Sequence, residues 1–311
     1  MDLNVYQYLL LAALGVAAGV INMMAGGGSN LILPVLMMFG VPADIANGSN
    51  RVGVLLQSVS GLQGFRHAGK LPTQDLPAIL WPTLIGGLFG ALVASFAPVA
   101  VLKPMLLITM LSVAAFAFFK RSALVHPSGT LPITVAENPK SRIGLWLVGV
   151  YGGFVQAGAG FVMLPVLAGM LRYDLVRANA LKVCCTLGFT LVSLAVFIWR
   201  GQVWWDIGLV LAAAMLWGTT GTAQHFAPAP LSPYWVGGLR MVMAALFFVA
   251  LAMVLDRGHA RQSISWARIV FCGLCMAVYN LSFFAGIKAS GVALGTALAI
   301  GSGPIWAGLM Q

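Results

Sequence analysis

Apolar residues run along this chain in long blocks with few charges inside them, and basic or turn-forming residues gather in short stretches between. Blocks of about 20 residues are what a helix needs to cross a bilayer. The pattern predicts helices near 6–38, 46–65, 75–97, 100–119, 143–171, 178–199, 207–227, 234–255, 267–287 and 291–310. Two blocks are too long. As straight helix, 6–38 and 143–171 would run roughly 50 and 44 Å, against a hydrocarbon core of about 30 Å. Each holds a glycine cluster at its middle, in MMAGGGSNLILP at 23–34 and QAGAGFVMLP at 156–165. Each is therefore expected to be a broken helix or a span followed by a re-entrant half-helix, and both readings stay open.

Composition agrees with the pattern. Of 311 residues, 60% are hydrophobic and 8% charged, and the mean hydropathy is +0.95. A soluble domain carries roughly 25% charged residues, so the expected class is an all-α polytopic membrane protein of about ten transmembrane helices. The formal charge of +10 sits mainly in short loops, as the positive-inside rule requires. Aromatic and basic residues are not interleaved as a nucleic-acid surface needs, so the expected partners are the lipid bilayer and a small anionic substrate, with no nucleic acid. A homo-oligomer stays open.

The start, MDLNVYQYLLLAALGVAAGV, lacks the basic n-region of a signal peptide and reads as a retained helix over 6–25. Counting each long block as one crossing collects Arg66, Lys70, Lys120, Arg121, Lys140, Arg142, Arg200, Arg257, Arg261 and Arg268 on one side. That side is expected to be cytoplasmic, and the N-terminus with it, in a cell's inner or plasma membrane.

The polar stretch KRSALVHPSGTLPITVAENPKSR at 120–142 reads as a cytoplasmic linker. The segments flanking it repeat one another. AGGGSNLILPVL at 25–36 matches QAGAGFVMLPVL at 156–167, and ANGSNRVG at 46–53 matches ANALKVCC at 178–185, where one gap sets Arg51 opposite Lys182. Expected boundaries are 1–119 for the first repeat, 120–142 for the linker, 143–207 for a second, incomplete repeat and 208–311 for a further helical unit.

Repeated membrane units with a glycine-broken helix in each copy are a feature of secondary transporters. Irregular backbone at membrane depth survives only where protein or a water-filled cavity satisfies it. A half-helix N-terminus there carries about half a positive charge, so two facing breaks would form an anion site. Ser29 and Asn30 are expected to cap the second half-helix, with Pro34 early in it. Arg51 and Lys182 would add positive charge, and Asn47, Asn50, Asn179 and Gln156 hydrogen bonds. Against this stand plainer readings: glycines that only let helices cross closely, and bases that snorkel to headgroups.

Other chemistries find little support. Asp2, Asp44, Asp75, Glu137, Asp174, Asp206 and Asp256 fall in loops or at helix ends, and neither HExxH nor a P-loop occurs, so neither an enzyme nor ATP-driven transport is expected. Cys184, Cys185, Cys272 and Cys275 lie in apolar runs and read as packing residues; no metal and no cofactor are expected. His225 and His259 read as solvated loop residues.

The motifs NMMAGGGSNLILP at 22–34, ANGSNRVG at 46–53 and G-x-x-x-A-G-A-G-x-x-x-L-P at 153–165, with the repeat, make residues 6–213 resemble the TauE/SafE family of sulfite-exporter-like membrane proteins. The resemblance implies export of sulfite, sulfoacetate or related organosulfur anions. Motif by motif it implies a site at Gly26, Gly27, Gly28, Ser29, Asn30, Asn47, Asn50 and Arg51, with counterparts Gly158, Gly160, Asn179 and Lys182. From about 208 the chain departs from that pattern. A W-G first helix, SPYWVGGLR and FFAGIKASGVALGTALAIGSGPIWAGL resemble part of an EamA-type drug/metabolite transporter, sharing the helix near 207–227. There Arg240 matches the motif Arg, read as bonding to carbonyls of a neighbouring helix or as touching substrate. The expected function is secondary export of a small anion between the two broken-helix repeats. The alternatives are EamA-like export of amino acids or other metabolites, or a truncated hybrid that does not transport.

Overall fold

Long apolar blocks become helices because only a helix satisfies its own backbone where water is absent. In the first of two units, residues 1–226, α1 (Val5–Met24), α2 (Ser29–Met38), α3 (Ala43–His67), α4 (Leu76–Phe96) and α5 (Val99–Phe119) form the first half. The second half comprises α6 (Lys140–Phe154), α7 (Ala159–Leu164), α8 (Leu175–Trp199) and α9 (Trp205–Gly218). This computed structural model describes residues 3–24, 26–119, 131–218, 235, 237–239, 241–246 and 266–290. Arg240, His225, His259, Lys120, Arg121, Arg257, Arg261, the start of the 120–142 stretch and the block at 291–310 lie outside the described residues. Among the described residues there is no strand, and Val5–Met23, Leu76–Phe96 and Leu175–Trp199 are each long and apolar enough to cross a membrane. The protein is an all-α polytopic membrane protein.

Both overlong blocks break at their glycines, and both turn back. α7 runs on into a π-helical turn, Pro165–Met170, which starts where Pro165 lacks an N–H and crowds the carbonyl four residues earlier. The loop ahead of α6 then meets the end of that turn: Ile133 N–H donates to the Leu171 carbonyl (2.9 Å) and the Asn138 amide to that of Met170 (3.1 Å). The chain has returned to the side it left. In the first half, a Cβ on Gly28 would lie 2.0 Å from the Ala18 carbonyl oxygen, whereas ten residues of straight helix would separate them by about 15 Å. α3 runs parallel to α1, with Gln57 bonded to the Gly19 carbonyl and Gly61 against Met23. α2 begins beside Asn50 of α3 and ends just before α3 starts, so it runs antiparallel to both. α2 and α7 are re-entrant half-helices.

This geometry corrects the one-crossing count. Gln202, in the loop before α9, donates to the Asp44 carboxylate (3.1 Å) and the Ser95 carbonyl (3.0 Å), and Tyr8 donates to Asp206. The N-terminal end of α1, the α2–α3 turn, the end of α4 and the α8–α9 loop therefore share one face, here the Tyr8 face. Asp75 accepts from the Val135 N–H (2.7 Å) on the other, the Asp75 face. A cytoplasmic N-terminus rested on the discarded count and loses its footing.

With two re-entrant elements, α1 starts at the Tyr8 face and α6 at the Asp75 face, so the halves are inverted repeats. They also exchange an element. α4 packs on α6 and α8 of the second half, and α9 on α1 and α3 of the first. Glycines make the crossings close: a Cβ on Gly90 would lie 2.1 Å from the Val150 carbonyl oxygen, and one on Gly153 2.0 Å from that of Gly87. Small residues four apart let the backbones touch, as membrane helix pairs require without a hydrophobic drive between them.

In the second unit, residues 227–311, the described residues include helical positions 237–239 and 241–246 and α10 (Trp266–Ser290). α10 is exposed and apolar at Trp266, Phe271, Leu274 and Val278, and the Tyr279 and Phe283 rings stack at 6.0 Å.

Candidate functional site between the two helix breaks

Where α1 and α6 stop, their last carbonyls lose helical partners, and each helix end carries about half a negative charge. The opposite repeat supplies the donors. Arg51 of α3 reaches the end of α6, giving Nη1 to the Gly152 carbonyl (3.2 Å) and Nη2 to that of Gly153 (2.5 Å). Nη2 also meets Asn47 Oδ1 (3.3 Å), while Asn47 Nδ2 donates to the Phe154 carbonyl (2.8 Å). The guanidinium lies over the Phe197 ring, 4.8 Å from its centroid.

Lys182 of α8 does the same for α1. Its Nζ donates to the carbonyls of Asn22 (3.2 Å) and Met23 (3.4 Å), and Asn179 Nδ2 donates to Met23 (3.1 Å). The Asn47–Arg51 pair and the Asn179–Lys182 pair are thus one device used twice, each clamping the other repeat. Both cations are buried, Arg51 at 0% and Lys182 at 2% exposure, and among the described residues no carboxylate pairs with either.

The breaks touch one another. Gly26, at φ 81°, lies so near the second break that a Cβ would fall 2.6 Å from the Gly160 Cα. Gly158, at φ 76°, faces the Asn30 amide, whose Oδ1 is buried without a partner. Gln156 takes φ 63°, a strained conformation for a side-chain-bearing residue, and donates to Thr190 (2.7 Å). Gly27 lies on the Phe161 ring and Gly28 on α1, where its N–H donates to Asn22 Oδ1 (2.7 Å).

A cavity with about 380 Å³ of empty space, part of it open to solvent, adjoins this contact. Of the residues expected at the site, Gly26, Ser29, Gln156, Gly160 and Lys182 line it. Arg51, Asn47, Asn50, Asn30, Asn179, Gly27, Gly28 and Gly158 instead build the frame. The capping expected of Ser29 and Asn30 is not observed. Gly28 stands at the N-cap, Ser29 opens the helix and accepts from Asn50 (2.9 Å), and Pro34 falls inside α2 beyond its first turn.

Sequence reasoning missed Asn22, Gln57, Ser58 and Thr186, which also line the cavity. Their signal was available: amides and hydroxyls within apolar helices, where polar groups are costly and mark function. Gln57 accepts from Asn22 (3.2 Å) and donates to the Gly19 carbonyl (2.5 Å), tying the end of α1 to α3. Among the described residues no cluster of His, Cys, Asp or Glu suits a metal ion.

Inverted repeats whose broken helices meet beside a cavity lined by amides, hydroxyls and a lysine are the build of a secondary membrane transporter. The family described as "Sulfite exporter TauE/SafE" matches residues 11–227, and the chain belongs to that family. Residues 204–311 match part of the family described as "EamA-like transporter family". A probable membrane transporter protein of Haemophilus influenzae is 26% identical over 226 residues, 70% of this chain and 84% of the relative. Escherichia coli K12 YfcA, also a probable membrane transporter protein, is 25% identical over 201 residues, 65% of this chain and 74% of the relative. The uncharacterized transporter YwfM of Bacillus subtilis is 38% identical over 102 residues, 33% of this chain and 34% of its own length. No solved structure matches the chain. The protein is an integral membrane transporter of a small-molecule substrate.

Proposed function

We propose that this transporter exports a small oxyanion of the sulfite or organosulfonate class through the cavity between its two breaks. The observation that carries the reading is Lys182, a buried basic side chain beside amides and hydroxyls in a cavity with no carboxylate in its wall. An anion there would meet an ammonium, the N-terminal end of α2 and neutral donors from Asn22, Gln57, Ser58 and Thr186. Met23, Val54 and Val183 supply a short apolar wall suited to an organic tail. Arg51, Asn47, Asn50 and Asn179 serve this site by holding the breaks, together with Gly27, Gly28, Asn30 and Gly158.

Orientation follows from the corrected path. Arg66, Lys70, Lys140, Arg142, Arg172 and Arg177 gather at the Asp75 face, while the Tyr8 face has Lys103 and Arg200. By the positive-inside rule the Asp75 face is cytoplasmic in the plasma or inner membrane, and the N-terminus faces outward. α9 then enters from outside. A cysteine at position 70, K70C, should react with an impermeant maleimide only once the cytoplasmic side is opened.

A second reading, EamA-like export of amino acids or other metabolites, is favoured by the match over 204–311 and by YwfM. Efflux of sulfite and organosulfonates from cells producing the chain, beside amino-acid efflux, separates the two. Sulfur-anion export that falls in Lys182→Gln supports the cavity; amino-acid export alone overturns it.

A further inference from the structure

Arg51 and Lys182 perform one structural task with different chemistry. A guanidinium keeps its charge under all ordinary conditions, and Arg51 is correspondingly well supplied, with two carbonyls, Asn47 Oδ1 and the Phe197 ring. Lys182 has two carbonyls, at 3.2 and 3.4 Å, and the cavity beside it. A neutral amine has two N–H donors. They match the Asn22 and Met23 carbonyls one for one, leaving the nitrogen lone pair for the cavity. An ammonium has a third N–H with no protein acceptor among these contacts and a charge with no counter-ion, which burial penalises.

No other titratable group answers that charge among the described residues. α4 has no ionisable residue between Leu76 and Phe96, and neither has α7 with its π-helical turn. α3 presents Arg51, already turned to the other break, while Asp44, Arg66 and His67 lie at its ends. α6 carries Lys140 and Arg142 at its start and Tyr151, whose hydroxyl donates to the Ala157 carbonyl. α8 itself adds the thiols Cys184 and Cys185 beside Lys182 and the Arg177–Asp174 pair at its start. α1 offers only the two carbonyls.

We infer that Lys182 is a proton site, and that the transporter carries its anion together with one proton. The empty cavity holds the neutral amine. Anion and proton enter as a pair, the proton forming the third N–H bond of Lys182 and the new N–H donating to the anion. Both leave together, returning the lone pair to the cavity. One monovalent anion then crosses with no net charge, whichever way its gradient drives it. The inference rests on the anion reading above.

The test uses the full chain in liposomes with methanesulfonate, which stays ionised across the working pH range, so any proton moved with it is carried by the protein. Sulfite serves as the second probe. Lumenal pH, anion content and a valinomycin-set potential are followed together. The expected result is acidification of the lumen in step with methanesulfonate uptake, and flux that does not respond to the potential. Sulfite carried as the hydrogensulfite monoanion should ignore the potential as well, so this arm is run on the acidic side, where that form dominates. In Lys182→Arg net uptake should fall at least about tenfold, since arginine cannot release the proton. Wild-type anion flux that follows the potential without a pH change overturns the inference and leaves the anion reading intact. No flux of either anion overturns both. The wild-type measurement decides even if the variant fails to fold.

Discussion

The two helix breaks of this transporter are built alike and finished differently. At the end of α6 the break is closed: Arg51 is wholly enclosed, bonded to Gly152 and Gly153, and backed by Phe197. At the end of α1 the break borders a cavity, and Lys182 holds the Asn22 carbonyl at 3.2 Å and that of Met23 at 3.4 Å. An inverted repeat needs both helix ends satisfied, or neither break survives in an apolar medium. In the proposed function only one of the two clamps also meets a ligand. The closed clamp is arginine, which is always charged and bonds in a rigid fork; the open one is lysine, a compact head on a flexible stem.

The largest expected effect breaks the closed side. Arg51→Ala leaves the Gly152 and Gly153 carbonyls buried and unmet, at about 1–3 kcal/mol for each. Folded protein recovered in detergent should fall sharply, with a lower Tm. If Arg51→Ala folds normally and loses only anion affinity, the comparison is inverted.

Lys182→Gln is the opposite case. Its amide can still donate to a carbonyl, so Tm should move little, while loss of a charge-assisted bond should weaken anion binding by about 1.5–3 kcal/mol, roughly tenfold or more. Transport rate against anion concentration reads this directly. A large fall in Tm with unchanged affinity would make Lys182 a clamp and nothing more.

The asparagine pair gives a finer comparison. Asn47 both donates to Phe154 and accepts from Arg51, whereas Asn179 has one such bond, to Met23. Asn47→Ala should therefore cost more than Asn179→Ala, by about 1 kcal/mol, the net worth of a hydrogen bond. Thermal unfolding of the two variants side by side measures the difference.

Far from both breaks, the Thr134 backbone N–H and hydroxyl hold the exposed Glu137 carboxyl below its usual range. A depressed folded value means this loop contact is present above the unfolded value and is lost as pH falls through the folded one. A shift of the Thr134 amide signal in that acidic window, with transport unaffected, is the smallest effect expected. Loss of transport in the same window would tie the loop to the breaks.

The chain itself made several things legible. Its 33-residue first block could not cross a bilayer as one straight helix, and the clusters at Gly26–Gly28 and Gly158–Gly160 marked where it had to break. The A-N pairs at 46–47 and 178–179 marked the repeat, and the pairing of Arg51 with Lys182 followed from it, while burial and snorkelling both stayed open. Their partners did not. Arg51 serves Gly152 and Gly153, over a hundred residues away, and main-chain carbonyls leave no trace in residue identity.

Hydropathy along the chain reports burial depth and not direction, so a half-helix that returns and one that continues have the same pattern. The turn-back was settled by contacts such as Asn138 to Met170 and Gln202 to Asp44. Those contacts moved the loops at 171–174 and 200–204 to the faces opposite those the one-crossing count gave them. The sequence alone determined that the chain enters a membrane and where its helices must break, because chain length and hydrophobicity are local properties. Which break is closed, which borders the cavity and which face each loop reaches were decided by tertiary packing, because they depend on what each helix end meets across the fold.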